Sequence, residues 1–213
     1  MTNTCVCDMI FYITPIPEET MEPVKPHSSP VAYRRQRQIE DCLFENLLRT
    51  PYASISVADI CRQVGISRKA FYNYYHDKDV CLCALINRVI QNTMIHVTAM
   101  AGDNPSALEV STLLLEHWKE QKSFWDIIVR NQLLQFLMFQ YMQYIQTEDR
   151  SLLDLLSTPD VKSDTDILCC YVSCQITLIL QWYLRDFDTP TKEMARKLMR
   201  LMHSPLIPVQ KEG

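Results

Sequence analysis

The fold of this chain is decided by residues 56–75, which read SVADICRQVGISRKAFYNYY. Ser56 and Asp59 form a capping pattern at the start of a helix that Gly65 would end, because glycine adopts the left-handed conformation easily. Ser67 can then cap a second short helix. Two short helices joined by a tight glycine turn predict a helix-turn-helix.

Helical spacing of apolar residues continues on both sides of this segment. One helix ends before Pro51, and another starts from a cap at Asp77 and runs to about residue 99, before Gly102 and Pro105 break the chain. The remaining apolar stripes predict further helices in segments near 106–121, 123–146, 165–186 and 190–203. No alternating strand pattern is present, so we predict an all-α fold.

Charge is distributed unevenly along the chain. The whole chain has a net charge of −4, which by itself disfavours a nucleic-acid partner. The segment from Arg34 to Lys78 nevertheless carries a net charge of +3, against −3 before it and −4 after it. Positive charge is therefore concentrated around the helix-turn-helix, as DNA binding requires.

The second helix of a helix-turn-helix lies in the major groove, with its first residues at the base edges. Here those residues are Ser67, Arg68, Lys69 and Ala70. Arginine and lysine donate to guanine or phosphate, and an alanine methyl contacts thymine. Tyr72, Asn73 and Tyr74 offer further polar groups at the ends of their side chains. Phe71 and Tyr75 are four residues apart, so both side chains should face the protein core. Plain core packing is the alternative, but it would leave much aromatic surface exposed.

Residues 39–90 resemble the DNA-binding domain of the TetR family of bacterial repressors. Members often read T-L-Y-x-H-F followed by a lysine, and this chain reads AFYNYY over residues 70–75, followed by Lys78. The resemblance implies base reading by Arg68, Lys69 and Ala70. It implies phosphate contacts at four further positions, which are Ser56, Tyr72, Tyr74 and Lys78. Tyr74 replaces the commoner histidine, a change that should preserve the phosphate hydrogen bond.

The resemblance also implies the domain organisation. Prolines punctuate residues 1–33, which predicts a poorly ordered tail. A three-helix DNA-binding domain is expected over residues 34–80. The fourth helix of the chain begins at the end of this domain and continues to about residue 100. Residues 104–213 are then expected to form a helical domain for ligand binding and dimerisation. The arginines at 34, 35 and 37 form either a DNA-contacting arm or a solvated helix start.

The last two helices of many family members form the dimer interface, and residues 179–202 look like these helices. We expect a homodimer through residues about 165–203, because one short recognition helix reads too few base pairs. The apolar stripes expected to serve it are Ile176, Ile179, Leu180, Tyr183 and Leu184, and Met194, Leu198, Leu201 and Met202. A monomer could also bury these stripes internally.

An effector site is expected in the same domain. Only Asp126 and Arg130 carry charge between residues 124 and 146, which favours a small apolar or aromatic effector. The candidate lining residues are Trp118, Trp125, Phe136, Phe139 and Tyr141. Aromatic residues at this spacing also occur as ordinary core.

The nine cysteines favour buried thiols over a disulfide framework. We expect Cys42, Cys61 and Cys81 in the core. A redox or soft-metal sensor built from Cys169, Cys170 and Cys174 is the alternative.

Catalytic and cofactor motifs are absent from the sequence, so we expect no enzymatic activity, cofactor or metal. No apolar run looks long enough to span a bilayer, and we expect a cytoplasmic protein without a membrane segment. The sequence therefore favours a dimeric, ligand-responsive, sequence-specific repressor that binds a double-stranded DNA operator. A helical protein-interaction module is the other class of function left open.

Overall fold

The computed structural model describes residues 29–146 and 164–203. These residues form nine α-helices and contain no strand, which confirms the all-α prediction. In chain order the helices are α1 Pro30–Leu47, α2 Val57–Val64, α3 Arg68–Tyr72, α4 Lys78–Ala101, α5 Ala107–Glu120, α6 Lys122–Arg130, α7 Leu134–Ile145, α8 Thr165–Leu184 and α9 Thr191–His203.

Two compact units share these helices. The first comprises residues 1–90 and 123–140, and the second comprises residues 91–122 and 141–213, as far as they are described. Residues 123–140 are therefore grouped with the helix-turn-helix, whereas the regulatory domain expected over residues 104–213 included them. The functional boundaries of the two domains stay a prediction.

The first unit has a core built from the three N-terminal helices. Its centre consists of fully buried side chains from α1, α2 and α3, which are Ile39, Leu43, Leu47, Ile60 and Phe71. Cys42, Cys61 and Cys81 are also buried, which confirms that these cysteines act as small core residues. Burial raises the pKa of each of these thiols, so they are held in the neutral form.

Helix α1 begins inside the predicted tail. Pro30 occupies its first position, where a proline costs nothing because that N–H would have no helical partner. The prediction of a tail reaching residue 33 was therefore wrong at its end, since Pro30 starts a helix rather than breaking one. Residues 1–28 of that tail lie outside the described residues.

The predicted helix over 123–146 is interrupted. Helix α6 ends at Arg130, and Gln132 adopts a left-handed φ of 56°. The N–H of Leu133 then donates to the carbonyl of Ile128 at 2.9 Å, which closes the helix end in the manner of a Schellman turn. Glycine is the usual residue at such a position, so the glutamine gave no signal of the break.

The second unit packs α5 against α9, with α8 beside them. Trp182 is fully buried, donates its indole N–H to the carbonyl of Thr189 at 3.0 Å, and packs edge-on against Phe187. Leu115 and Ala195 are also fully buried. The turn between α8 and α9 is therefore fixed by one tryptophan.

The stripes proposed for the dimer interface mostly form the core of this unit. Five of their residues are at most 3% exposed, which are Ile176, Ile179, Leu180, Met194 and Leu198. These five side chains are therefore covered within the single chain, whereas Leu184 and Leu201 remain exposed, and the dimer interface through residues about 165–203 stays a prediction. The side chain of Met202 lies outside the described residues. The exposed face of α8 shares only Leu184 with these stripes and is formed by Ile167, Cys170, Cys174, Thr177 and Leu184, which we call the α8 strip.

By length and composition alone, α4 and α8 are apolar enough to cross a membrane, whereas no such helix was expected from the sequence. The most apolar window of α4 is 56% buried inside the protein and that of α8 is 44% buried. Core helices pass the same test, since their apolar residues face the protein interior.

Two histidines meet in the second unit. The rings of His96 on α4 and His117 on α5 lie 4.6 Å apart between centroids. Burial and the neighbouring His96 lower the pKa of His117, and Glu120 opposes this shift. The fold therefore favours the neutral imidazole at this position.

This pair predicts a pH-dependent stability. Because the folded pKa of His117 lies below its unfolded value of about 6.5, its contribution is present above that pH and is lost as pH falls. Thermal unfolding followed by circular dichroism between about pH 7.5 and 5.5 should show a smaller decline for His117→Gln than for the wild type. Asn92→Ala at an exposed position of α4 provides the control, since it removes no titratable group and should keep the wild-type decline. Parallel curves for His117→Gln and the wild type would contradict the assignment.

Candidate nucleic-acid interface

The first turn of α3 presents the predicted base-reading side chains. Helix α2 ends at Gly65, whose φ of 72° turns the chain, and Ser67 then caps α3. The hydroxyl of Ser67 accepts from the N–H of Ala70 at 3.1 Å, which leaves its own hydrogen able to donate. Arg68 and Lys69 are exposed. The structure thus brings together three polar or charged side chains at the start of one short helix.

The inner face of this segment is anchored in the core. Phe71 is fully buried and Tyr75 is 1% exposed, as predicted, with ring centroids 5.7 Å apart. The hydroxyl of Tyr75 donates to Glu40 Oε1 at 2.7 Å, and Arg88 Nε lies 3.0 Å from Glu40 Oε2. Burial raises the pKa of Glu40, against the hydrogen bond from Tyr75 and the charge of Arg88. This network joins α1, the end of the recognition segment and α4.

Sequence reasoning missed Glu40 and Arg88. Both residues were treated as part of the overall charge, because partners 35 and 48 positions apart follow no local spacing rule. A single buried carboxylate in the apolar stripe of α1 was the available signal, since buried charges require a partner.

The remaining side chains of the recognition segment differ in exposure. Tyr72 is 53% exposed and Asn73 is exposed, whereas Tyr74 is half-buried. Helix α3 ends at Tyr72, so the helix predicted to reach Tyr75 is three residues shorter. Tyr74 and Tyr75 instead follow in a turn whose N–H groups donate to the carbonyl of Phe71.

Ser56 is exposed and occupied in capping α2. Its hydroxyl accepts from the N–H of Asp59 at 3.2 Å and lies 2.5 Å from Asp59 Oδ2, to which it donates. These hydrogen bonds lower the pKa of Asp59 and hold it ionised. A phosphate that accepts from the Ser56 hydroxyl would have to replace the carboxylate of Asp59.

Lys78 is tied to the chain that precedes α2. Its ammonium donates to the carbonyl oxygens of Tyr52 and Ile55, each at 2.8 Å, and lies 4.0 Å from the centroid of the Tyr52 ring. Burial lowers the pKa of Lys78, and the charge of Asp79 opposes this shift. An ammonium has three donors, so one remains for a phosphate.

The basic residues at 34, 35 and 37 belong to the first turns of α1. Arg34 is exposed, and the guanidinium of Arg37 lies 5.0 Å from the ring centroid of Tyr33 and donates to its hydroxyl. They form a helical surface rather than an extended arm.

The five residues proposed to line an effector site are divided between the two units. Trp118 and Tyr141 belong to the second unit and are joined by a hydrogen bond between the indole N–H and the hydroxyl. Trp125, Phe136 and Phe139 belong to the first unit, where Phe139 is half-buried and the other two are buried. Their role toward an effector stays a prediction.

The cysteines of α8 differ in accessibility. Cys170 and Cys174 are exposed, and Cys169 is half-buried with its pKa raised by burial. Within residues 29–146 and 164–203, no group of three histidine, cysteine, aspartate or glutamate side chains is placed to hold a metal ion.

Sequence comparison gives a local match to known regulators. No protein-family model matches the chain. The HTH-type transcriptional regulator EthR of Mycobacterium tuberculosis is 40% identical over 63 residues, and so is EthR of Mycobacterium bovis. The match covers 29% of this chain, and the chain spans 29% of the length of these curated relatives.

Solved structures of similar fold cover most of the chain. A TetR transcriptional regulator from Streptococcus agalactiae has a TM-score of 0.57 at 14% identity, over 80% of this chain and 94% of its own. The fatty acid degradation regulator FadR from Bacillus halodurans has a TM-score of 0.55 at 14% identity, over 85% of this chain and 98% of its own. FadR from Thermus thermophilus, a TetR-family repressor solved in complex with lauroyl-CoA, has a TM-score of 0.51 at 14% identity. The match covers 84% of this chain and 98% of that FadR chain.

Proposed function

We propose that the chain belongs to the TetR family, by its fold and by the sequence of its helix-turn-helix, and that it is a sequence-specific DNA-binding transcriptional regulator. The observation that carries the proposal is the first turn of α3. Ser67, Arg68 and Lys69 project from it into solvent, while Phe71 and Tyr75 anchor its inner face. A rigid helix with exposed donors at its N-terminus is the geometry that reads base edges in a major groove.

Within this proposal the side chains divide into two groups. Arg68 and Lys69 donate to guanine or to phosphate, and the methyl group of Ala70 contacts thymine. The second group donates hydrogen bonds to the phosphates of the DNA backbone and consists of Ser56, Tyr72, Asn73, Tyr74 and Lys78. The exposed Arg34 on α1 adds positive charge toward the phosphates.

We propose that the regulator acts as a homodimer through the α8 strip. From Ile167 to Leu184 this helix carries no charged residue, yet Ile167 is 49% exposed and Leu184 is 39% exposed. An uncharged, partly apolar helix face favours a second copy of the same face across a two-fold axis. Two recognition helices would then read half-sites about 34–36 Å apart.

The proposed effector is a small molecule with an apolar or aromatic part. The near absence of charge between residues 124 and 146 supports this class, and so does the lauroyl-CoA bound to the Thermus thermophilus repressor of the same fold. Lauroyl-CoA is the first molecule to test. Dissociation of the protein from its DNA when lauroyl-CoA is added would identify this molecule as an inducer. Such a regulator acts where the DNA lies, in the cytoplasm.

A mobility-shift titration with DNA from the promoter region of its own gene tests the function. We expect retardation that prefers this DNA over a shuffled sequence of equal length and that weakens steeply with salt. Binding that is equally weak for both sequences would contradict a sequence-specific regulator. A stable hetero-complex without DNA binding would favour a protein-interaction module instead.

A further inference from the structure

We propose that Arg130 and Asn131, which lie outside the helix-turn-helix, are positioning residues for DNA binding. They hold the loop between α1 and α2, and this loop sets both the start of α2 and the place of Lys78. The inference rests on the proposed function, because the property that it alters is DNA affinity.

Asn131 fixes the middle of this loop. The N–H of Tyr52 donates to Asn131 Oδ1 at 2.7 Å. The amide group of Asn131 is itself oriented, because its Nδ2 donates to the carbonyl of Ile127 at 2.9 Å in the last turn of α6. The left-handed Gln132 that follows turns the chain away after this contact. The acceptor for Tyr52 is therefore presented by a helix end and not by a free side chain.

Arg130 fixes the beginning of the loop. Its Nη2 donates to the carbonyl oxygens of Leu47 and Leu48, at 3.1 and 3.2 Å. These are carbonyls at the C-terminal end of α1, which have no partner within their own helix and favour a cation. Arg130 thus holds the point at which the chain leaves α1.

The far side of the loop is held by α4. The ammonium of Lys78 donates to Tyr52 and Ile55, and the hydroxyl of Tyr52 bonds to Asp79. The Tyr52 ring also packs edge-on against Phe136 of α7, with centroids 6.4 Å apart. The same backbone unit, Tyr52, therefore binds Asn131 through its N–H and Lys78 through its carbonyl.

DNA binding depends on this arrangement through two groups. Ser56 caps α2 directly after the buried Ile55, so a shift of the loop moves the helix that supports α3. Lys78 has one donor left for a phosphate only while its other two point at the loop. Releasing the loop from residues 130 and 131 displaces both groups, although neither residue is among the predicted DNA contacts.

The test compares Asn131→Ala and Arg130→Met with the conservative variants Asn131→Gln, which keeps both the amide acceptor and the amide donor, and Arg130→Lys. Asn131→Ala removes the hydrogen bonds to the Tyr52 N–H and the Ile127 carbonyl, and Arg130→Met removes those to the carbonyls of Leu47 and Leu48. The net effect should be an affinity for the preferred DNA about three- to ten-fold lower in this first pair, and the second pair should recover most of it. The slope of log affinity against log salt should become shallower in the first pair by up to about 0.9, the change expected for Lys78→Ala, because a displaced Lys78 no longer contacts its phosphate. Asn92→Ala, at an exposed position of α4, is the matched control and should bind as the wild type does.

A second measurement is independent of DNA. Hydrogen exchange at the Tyr52 amide should become faster in Asn131→Ala and stay slower in Asn131→Gln, at a temperature well below unfolding. Wild-type exchange at this amide in Asn131→Ala would overturn the proposal even if the wild type fails to bind DNA. If exchange accelerates while DNA affinity and its salt slope remain unchanged, the loop contact is only structural and the proposal is wrong. An Asn131→Gln variant in which exchange is slow but DNA binding is as weak as in Asn131→Ala would also overturn it.

Discussion

Replacing Arg68 with alanine should lower affinity for the preferred DNA about 5- to 150-fold at each half-site. A bidentate arginine–guanine pair contributes about 1–3 kcal/mol of discrimination, and each 1.4 kcal/mol is a factor of ten. Arg68 is exposed at the first position of α3, so the substitution removes no core contact. The loss should therefore occur in binding and not in the thermal stability of the protein.

The measurement is a competition titration of wild type and Arg68→Ala against the preferred DNA, its single-base variants and unrelated DNA. A base-reading arginine discriminates mainly at the one base pair that it contacts. Arg68→Ala should therefore tolerate base changes at that position of the DNA. Arg200→Ala removes the same charge from an exposed position on α9 and serves as the control. Equal losses on preferred and unrelated DNA would show that Arg68 contacts only phosphate.

The helix-turn-helix could be predicted because its signals are local. Ser56 with Asp59, Gly65, and Ser67 act within three or four residues of the positions they control, and the structure shows each one in the predicted role. The inward pair Phe71 and Tyr75 follows from helical spacing alone, and both are buried. These features need no knowledge of the rest of the chain.

Features that depend on distant partners could not be predicted in this way. The spacing of Ile176 and Ile179 indicates an apolar face, but it does not say whether the same chain or a second copy covers it. The break after Arg130 was missed because a glutamine takes the left-handed position. The role of Lys78 was assigned from its place in a motif, whereas two of its three donors bind the loop before α2.

The α8 strip carries the second large prediction, Cys174→Lys. Cys174 lies near the middle of α8 and is exposed, so the chain can accept lysine there without loss of its own fold. In a two-fold interface each substitution occurs twice, and a residue near the axis meets its own copy. Two like charges would then be buried without partners, at a cost of about 3–5 kcal/mol each, which weakens association more than about 100-fold.

Sedimentation velocity over a range of protein concentrations should therefore show a monomer for Cys174→Lys and a dimer for the wild type. Cys174→Ser, which keeps the residue small and uncharged, is the matched control and should remain a dimer. Unchanged far-UV circular dichroism would show that the lysine variant is folded. Because each subunit supplies one recognition helix, the monomer should also lose preference for the two-half-site DNA while Arg68 is intact. A Cys174→Lys variant that stays dimeric and binds DNA as the wild type does would place the interface elsewhere on the chain, and Arg68→Ala would still report on base reading.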